Sequence, residues 1–352
     1  MTYNVSKCGV LNKSQDTFEL YLQHELIPVL ESYKYLGFPM TSEGIQYKRH
    51  MLNQAETVKQ FLKFVQLNSS SWSPNVRLVI YRTFLRPQME YGAPLMHCFR
   101  QITGGIKLYM DLHEAQKSAL AWVLNTSIVH YKVNQGILGV LPVDERFSHL
   151  STMFQEHVRS LHQSNPLKIL LESRQNWKSN VLLRHLLGDC RYRQYLAEVH
   201  EPSPNALRAF LLSLRRDYIY EKGDILVNYV LPSARNHSLV DKVLYAPAKF
   251  QKEFISWRCG RLFMRNKCIC GGQWNRKHLS HLPDTFQRLS PKLRRLWTDE
   301  HQKMSTNYSI IDFLLNHQEW ELTHSILHHY RSVLQHKPIS LVREPDGLEI
   351  IV

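Results

Sequence analysis

The spacing of apolar residues along the chain changes near residue 45. In "TFELYLQ", apolar side chains at Phe18, Leu20 and Leu22 alternate with polar neighbours, and the aromatic run "YKYLGF" follows soon after. A period of two is typical of half-buried strands, so the first 44 residues predict a small antiparallel β-meander. Beyond them the apolar period becomes that of an α-helix for most of the remaining chain.

The first helical stretch, "YKRHMLNQAETVKQFLKFV", separates apolar from basic positions. On a helical wheel one arc collects Met51, Ala55, Val58, Phe61, Leu62 and Val65. An adjacent arc of about 100° collects Lys48, Arg49, Lys59 and Lys63. The apolar arc predicts a packed face. The basic arc fits either an ordinary solvated face or a surface that follows phosphates.

Further helical patterns follow, and breaks between them suggest domain limits. Pro87 is expected to end or kink the helix that starts near Ser73, and "EPSPN" is the best candidate linker. The fold class expected is α+β and mostly α-helical. The expected parts are a β-meander at 1–44, a helical bundle at 45–165, a helical connector at 166–204, a basic C-terminal domain at 205–338 and a tail at 339–352.

Composition narrows the classes of partner. Lys and Arg number 44 against 30 Asp and Glu, a formal charge of +14. Such a chain attracts polyanions, so RNA or DNA is the first partner to consider. The sequence has no run of about eighteen apolar residues and no signal or transit peptide pattern. We therefore expect an intracellular protein, nuclear or cytoplasmic, with no membrane partner.

The stretch "CICGGQWNRKHLSH" gathers residues that can bind a metal. Two thiolates and two imidazoles, from Cys268, Cys270, His278 and His281, could hold Zn²⁺ tetrahedrally, with the Gly271-Gly272 pair turning the chain. Four protein ligands would make this a structural site. The alternative is a pair of free thiols beside a basic loop.

The same region is basic and aromatic. Between Arg258 and Lys303 there are eleven Lys and Arg against three acidic residues, with tryptophans interleaved. Cations neutralise phosphates and aromatic faces stack on unpaired bases, so this mixture favours nucleic-acid binding, although the tryptophans could equally belong to a core. The candidate contacts are Arg261, Arg265, Lys267, Arg276 and Lys277.

The order of several short motifs resembles the region downstream of the active site in reverse transcriptases of non-LTR retrotransposons. The matching residues are Asn4, Lys7, Lys34, Tyr35, Leu36, Gly37, Leu78, Tyr81, Arg86, Pro87, Tyr91 and Gly92. The Cys/His stretch also resembles the C-terminal knuckle of that family, except that His281 stands where the family usually has Cys.

This resemblance implies a set of roles. The meander would be the end of the palm, with Tyr35, Leu36 and Gly37 as contacts to the primer strand, and the bundle would be the thumb. The family's catalytic hairpin has two adjacent aspartates that hold Mg²⁺, whereas this sequence contains no such pair. The resemblance places the chain just after that hairpin, so Mg²⁺ is expected only in a full-length parent and no polymerase activity is expected here. The alternative is a helical protein-interaction module derived from a retroelement.

Overall fold

The computed structural model describes residues 4–12, 19–97, 109–172, 190–221, 240–259, 283–301 and 309–335. Within these ranges the chain is mostly helical, with a small antiparallel strand region near its start. The coarse class predicted from the sequence is therefore confirmed.

The strands form two small sheets instead of one meander. Their bounds are β1 Tyr21–Leu22, β2 Glu25–Leu26, β3 Ser32–Tyr35, β4 Phe38–Thr41 and β5 Gly44–Ile45. β1 pairs only with β2, while β3, β4 and β5 form a three-stranded antiparallel sheet. Leu20 and Leu22, expected on a buried strand face, are exposed and half-buried, because β1 is only two residues long.

Helices make up most of the described chain. They are α1 Tyr47–Asn68, α2 Pro74–Ile80, α3 Arg86–Glu90, α4 Met110–Leu124, α5 Tyr131–Leu138, α6 Val143–Ser160, α7 Pro166–Glu172, α8 Cys190–Glu198, α9 Pro204–Glu221, α10 Ala248–Arg258, α11 Pro283–Gln287, α12 Pro291–His301, α13 Ile310–Asn316 and α14 Trp320–Gln335. α13 and α14 follow each other in the chain but are separate helices. The helical path is interrupted between them at Gln318, whose φ of 61° lies in the left-handed region.

Pro87 changes the helix that contains it without ending it. A π-helical turn, Tyr81–Leu85, joins α2 to α3, and the Arg86 amide donates to the carbonyl of Tyr81. Proline has no amide hydrogen and its ring clashes with the carbonyl one turn earlier, so the wider turn accommodates it. The helical path therefore continues to Glu90.

Backbone contacts divide the chain into two compact units. Unit 1 comprises Met1–Ser71, Val79–Ala119 and Pro142–Ser213, and unit 2 comprises Trp72–Leu78, Leu120–Leu141 and Leu214–Val352. Each unit is therefore built from segments that are distant in sequence.

Unit 1 is organised around one face of α1. Five of the six positions of its predicted apolar arc are buried, and Phe61 is half-buried. Buried side chains of the π-turn, α3 and α6 complete this core, including Tyr81, Leu85, Met89 and Phe147. At its edge Arg146 contacts the Glu90 carboxylate through two hydrogen bonds of 2.9 and 3.3 Å.

Unit 2 contains a fully buried ion cluster. Arg258, at the end of α10, lies 3.1 Å from a carboxylate oxygen of Asp241 and 2.6 Å from one of Asp312. Asn316 accepts a further hydrogen bond from the guanidinium at 3.0 Å, and Trp257 donates its indole N–H to Asp312 at 3.1 Å. The cluster ties α10 to α13.

Candidate nucleic-acid interface

The Tyr-Leu-Gly motif forms the tip of the β3–β4 hairpin. Tyr35 pairs with Phe38, which leaves Leu36 and Gly37 as a two-residue turn. Both have positive φ, 46° and 84°, as a type I′ turn requires. A leucine in this region is uncommon, so tertiary contacts have to hold it.

Those contacts come from Tyr91 and Gly92, just after α3. The Tyr91 hydroxyl donates to the carbonyl of Leu36. A side chain at Gly37 would come within 3.1 Å of the Tyr91 ring, and one at Gly92 would overlap the Phe38 ring. The hairpin tip is thus seated against the end of α3. Both glycines are favoured by their positive φ, and space excludes a side chain at Gly92, whereas one at Gly37 would only be tight.

Two buried polar residues of α1 lie beneath this junction. Gln54 donates to the Tyr91 carbonyl at 2.8 Å, and His50 Nε2 lies 3.2 Å from the same oxygen. The imidazole also stacks on Phe38 with ring centroids 4.3 Å apart. Burial lowers the pKa of His50, and hydrogen bonds to the backbone at Tyr91 and Gly37 only partly oppose this. The ring is therefore favoured in its neutral form.

A cleft of about 600 Å³ opens between β3, β4, α1 and α3. It is lined by Ser32, Tyr33, Lys34, Gly37, Pro39, Arg49, His50, Asn53, Gln54, Thr57, Gln88 and Tyr91. The lining includes two exposed cations, Lys34 and Arg49, together with amide and hydroxyl groups, and it contains no carboxylate. Such a surface offers charge and hydrogen-bond donors to a polyanion.

The predicted contacts are distributed over different surfaces. Arg49 and Gly37 line the cleft, whereas Tyr35 and Leu36 are exposed at the hairpin tip and are not part of its lining.

The other basic residues of α1 lie away from the cleft. Lys48, Lys59 and Lys63 lie on one side of the apolar stripe, whereas the cleft residues of the helix run from Arg49, opposite the stripe, to Gln54 on its other side. Lys59 is also 4.0 Å from the Asp111 carboxylate. Of the four basic residues that the helical wheel grouped, Arg49 lines the cleft and the three lysines do not.

The amide groups of the cleft were missed by sequence reasoning. Asn53 and Gln54 come from α1 and Gln88 comes from α3, and no short motif connects them. Lys34 entered only as part of the family resemblance. The available signal in the sequence was that Arg49, Asn53 and Thr57 follow one another at intervals of one helical turn. Polar residues at this spacing are too common to identify a site.

Most of the predicted C-terminal contacts lie outside the described residues. These are Arg261, Arg265, Lys267, Arg276 and Lys277, together with the zinc candidates Cys268, Cys270, His278 and His281. Two tryptophans in or beside this region are described, and both Trp257 and Trp297 are buried. They serve the core, as the alternative interpretation of this region held.

In the described part of the chain, no three His, Cys, Asp or Glu side chains are grouped so that they could hold a metal ion. Cys259, the thiol nearest in sequence to the zinc candidates among the described residues, is buried at the end of α10. No helix of the described ranges has the length and apolar content needed to span a membrane.

Comparisons with protein families, with curated proteins and with solved structures find no match to this chain.

Proposed function

We propose that this chain binds nucleic acid through the cleft of unit 1, as a counterpart of the palm end and thumb of a non-LTR retroelement reverse transcriptase. The observation that carries the proposal is the lining of the cleft. Lys34 of β3 and Arg49 of α1 converge there with amide and hydroxyl groups and without a carboxylate. The formal charge of +14 adds a long-range attraction to polyanions.

The cleft suits the sugar-phosphate backbone better than it suits base edges. Guanidinium and ammonium groups form charge-assisted hydrogen bonds with phosphate oxygens, and amide or hydroxyl side chains commonly add contacts to phosphate and sugar. Binding through such groups is largely independent of sequence. The role proposed is therefore to hold a strand, and we expect no primer extension by this polypeptide alone.

A charge-reversal experiment tests the proposal. The double variant Lys34→Glu/Arg49→Glu changes the cleft, and Lys48→Glu/Lys63→Glu changes the other flank of α1. Each variant replaces two cations by two anions, so both lower the formal charge from +14 to +10. All four side chains are exposed, so both variants should fold.

Affinity for a fluorescent oligonucleotide, measured by polarisation at low salt, gives the result. The cleft variant should bind about tenfold or more weakly, a loss of roughly 1.4 kcal/mol. The flank variant should lose much less. Equal losses would mean that net charge alone drives binding, and no binding by the wild type would favour the protein-interaction alternative.

A further inference from the structure

An aromatic surface continues from the cleft along α1. Thr57, which lines the cleft, is followed one helical turn later by Phe61 and another turn later by Phe64. Phe84 of the π-turn lies against Phe61, with ring centroids 6.0 Å apart and an interplanar angle of 29°. Phe64 also lies near Phe61, with ring centroids 6.4 Å apart. We call Phe61, Phe64 and Phe84 the aromatic strip.

Two rings of the strip are exposed. Phe64 is 63% and Phe84 is 51% exposed, while Phe61, which lies close to both, is half-buried. Single exposed apolar residues are ordinary on protein surfaces, whereas exposed apolar side chains that join into one patch are typical of contact surfaces. The faces of such rings are available for stacking.

The position of the strip relates it to the cleft. On α1, Phe61 lies one helical turn after the cleft residue Thr57. On the π-turn and α3, Phe84 lies one helical turn before the cleft residue Gln88. From Arg49 to Phe64 the helix rises by about 22 Å. One strand of nucleic acid could therefore extend from the cations of the cleft to the rings.

We propose that unpaired bases of a single strand stack on Phe64 and Phe84 while its phosphates lie against Lys34 and Arg49. This inference rests on the proposed function and specifies its ligand. Bases within a duplex are already stacked on each other, whereas unpaired bases expose their faces to aromatic side chains. A surface that joins cations to exposed rings is the arrangement that recognises single strands without sequence preference.

The test separates bases from phosphates. The full chain is titrated into a fluorescein-labelled oligothymidylate and into the same strand carrying abasic sites, which keeps the phosphates but lacks the bases. The wild type should bind the base-bearing strand more tightly. In Phe64→Ala/Phe84→Ala the preference should disappear, because stacking contributes roughly a five- to 150-fold difference in affinity per base.

Two matched variants control for loss of apolar surface and for misfolding. Leu67→Ala/Val79→Ala removes two exposed aliphatic side chains of unit 1 and should leave the preference intact. The double variant Phe64→Trp/Phe84→Ala retains one stacking face and should therefore keep the preference for the base-bearing strand. Unchanged thermal melts would show that each variant folds.

The outcomes distinguish this inference from the proposed function. Equal affinity of the wild type for the two strands overturns stacking but leaves phosphate binding in place. A preference that survives Phe64→Ala/Phe84→Ala also overturns it, because the strip would then belong to another partner. Absence of binding to either strand at low salt overturns both proposals.

Discussion

Arg258 combines full burial with full charge. Its side chain is 0% exposed and lies between the carboxylates of Asp241 and Asp312, which are also fully buried. Transfer of these three groups out of water is costly, so the cluster adds little net stability compared with an apolar core. It does impose a penalty on any arrangement that separates α10 from α13. We therefore expect it to favour this packing over alternative arrangements.

Removing the guanidinium should destabilise unit 2 strongly. Arg258→Leu leaves two carboxylates buried without their cation, and we expect a loss of about 3–5 kcal/mol in the free energy of unfolding. Urea denaturation measures the change. Lys249→Leu is the control, because Lys249 forms an ion pair with Glu321 at 2.9 Å in which both side chains are mostly exposed. That variant should change stability by no more than about 0.5 kcal/mol, and a similar midpoint shift in both would contradict the expectation.

His50 should make the hairpin junction sensitive to acid. Burial lowers the pKa of His50 in the folded state, whereas in the unfolded chain the imidazole has its ordinary pKa of about 6.5. Below about pH 6.5 the unfolded chain therefore binds the proton more readily than the folded chain does. Between the folded and unfolded pKa values, stability therefore rises with pH and falls on acidification. Denaturation midpoints at about pH 7.5 and about pH 5.5 should differ less in His50→Gln than in the wild type. The same difference in both proteins would assign the effect to other groups.

The junction between the β3–β4 hairpin and α3 depends on backbone geometry at its glycines. Gly92 has a φ of 77°, and the Phe38 ring occupies the space that a side chain would need. Gly44 has a similarly unusual φ of 110°, but nothing lies within 4 Å of the corresponding position. A side chain at either position would therefore be strained by its positive φ, but only one at Gly92 would also clash with a neighbour.

Alanine at each position separates these effects. Gly44→Ala should lose about 1–3 kcal/mol through strain alone. Gly92→Ala should lose more, because Phe38 must also leave its place beside His50. It should also weaken oligonucleotide binding, since Lys34 is on the same hairpin. Equal losses of stability, measured by thermal or urea denaturation, would show that the Phe38 contact contributes nothing.

Whether a feature of this structure could be predicted from the sequence depends on how far apart in sequence the residues that define it are. The apolar arc of α1 was predicted because burial repeats every 3.6 residues within the helix. Burial of His50 and Gln54 was not, since both depend on the Tyr91 carbonyl, 41 and 37 residues away. The meeting of Lys34 with Arg49 likewise depends on a turn held by Tyr91. Local periodicity identified the helix, and long-range contacts placed the candidate site beside it.

The net charge of the whole molecule determines how its affinity for nucleic acid should change with salt concentration. A chain with a formal charge of +14 releases counterions when it neutralises phosphates, and the logarithm of the affinity falls with the logarithm of salt concentration by about 0.7 per phosphate contact on a single strand. Cations of the cleft and those of the C-terminal region can both contribute to this slope. The slope therefore counts phosphate contacts over the whole chain.

Neutralising two cleft cations should reduce that slope by a definite amount. For Lys34→Ala/Arg49→Ala we expect a decrease of about 1.4, because two phosphate contacts are lost. Lys48→Ala/Lys63→Ala removes the same charge from the flank of α1 and should leave the slope nearly unchanged. Polarisation titrations over a range of salt concentrations measure both. A wild-type affinity that does not vary with salt would rule out phosphate neutralisation as the source of binding, and equal slopes in all three proteins would place the phosphate contacts outside the cleft.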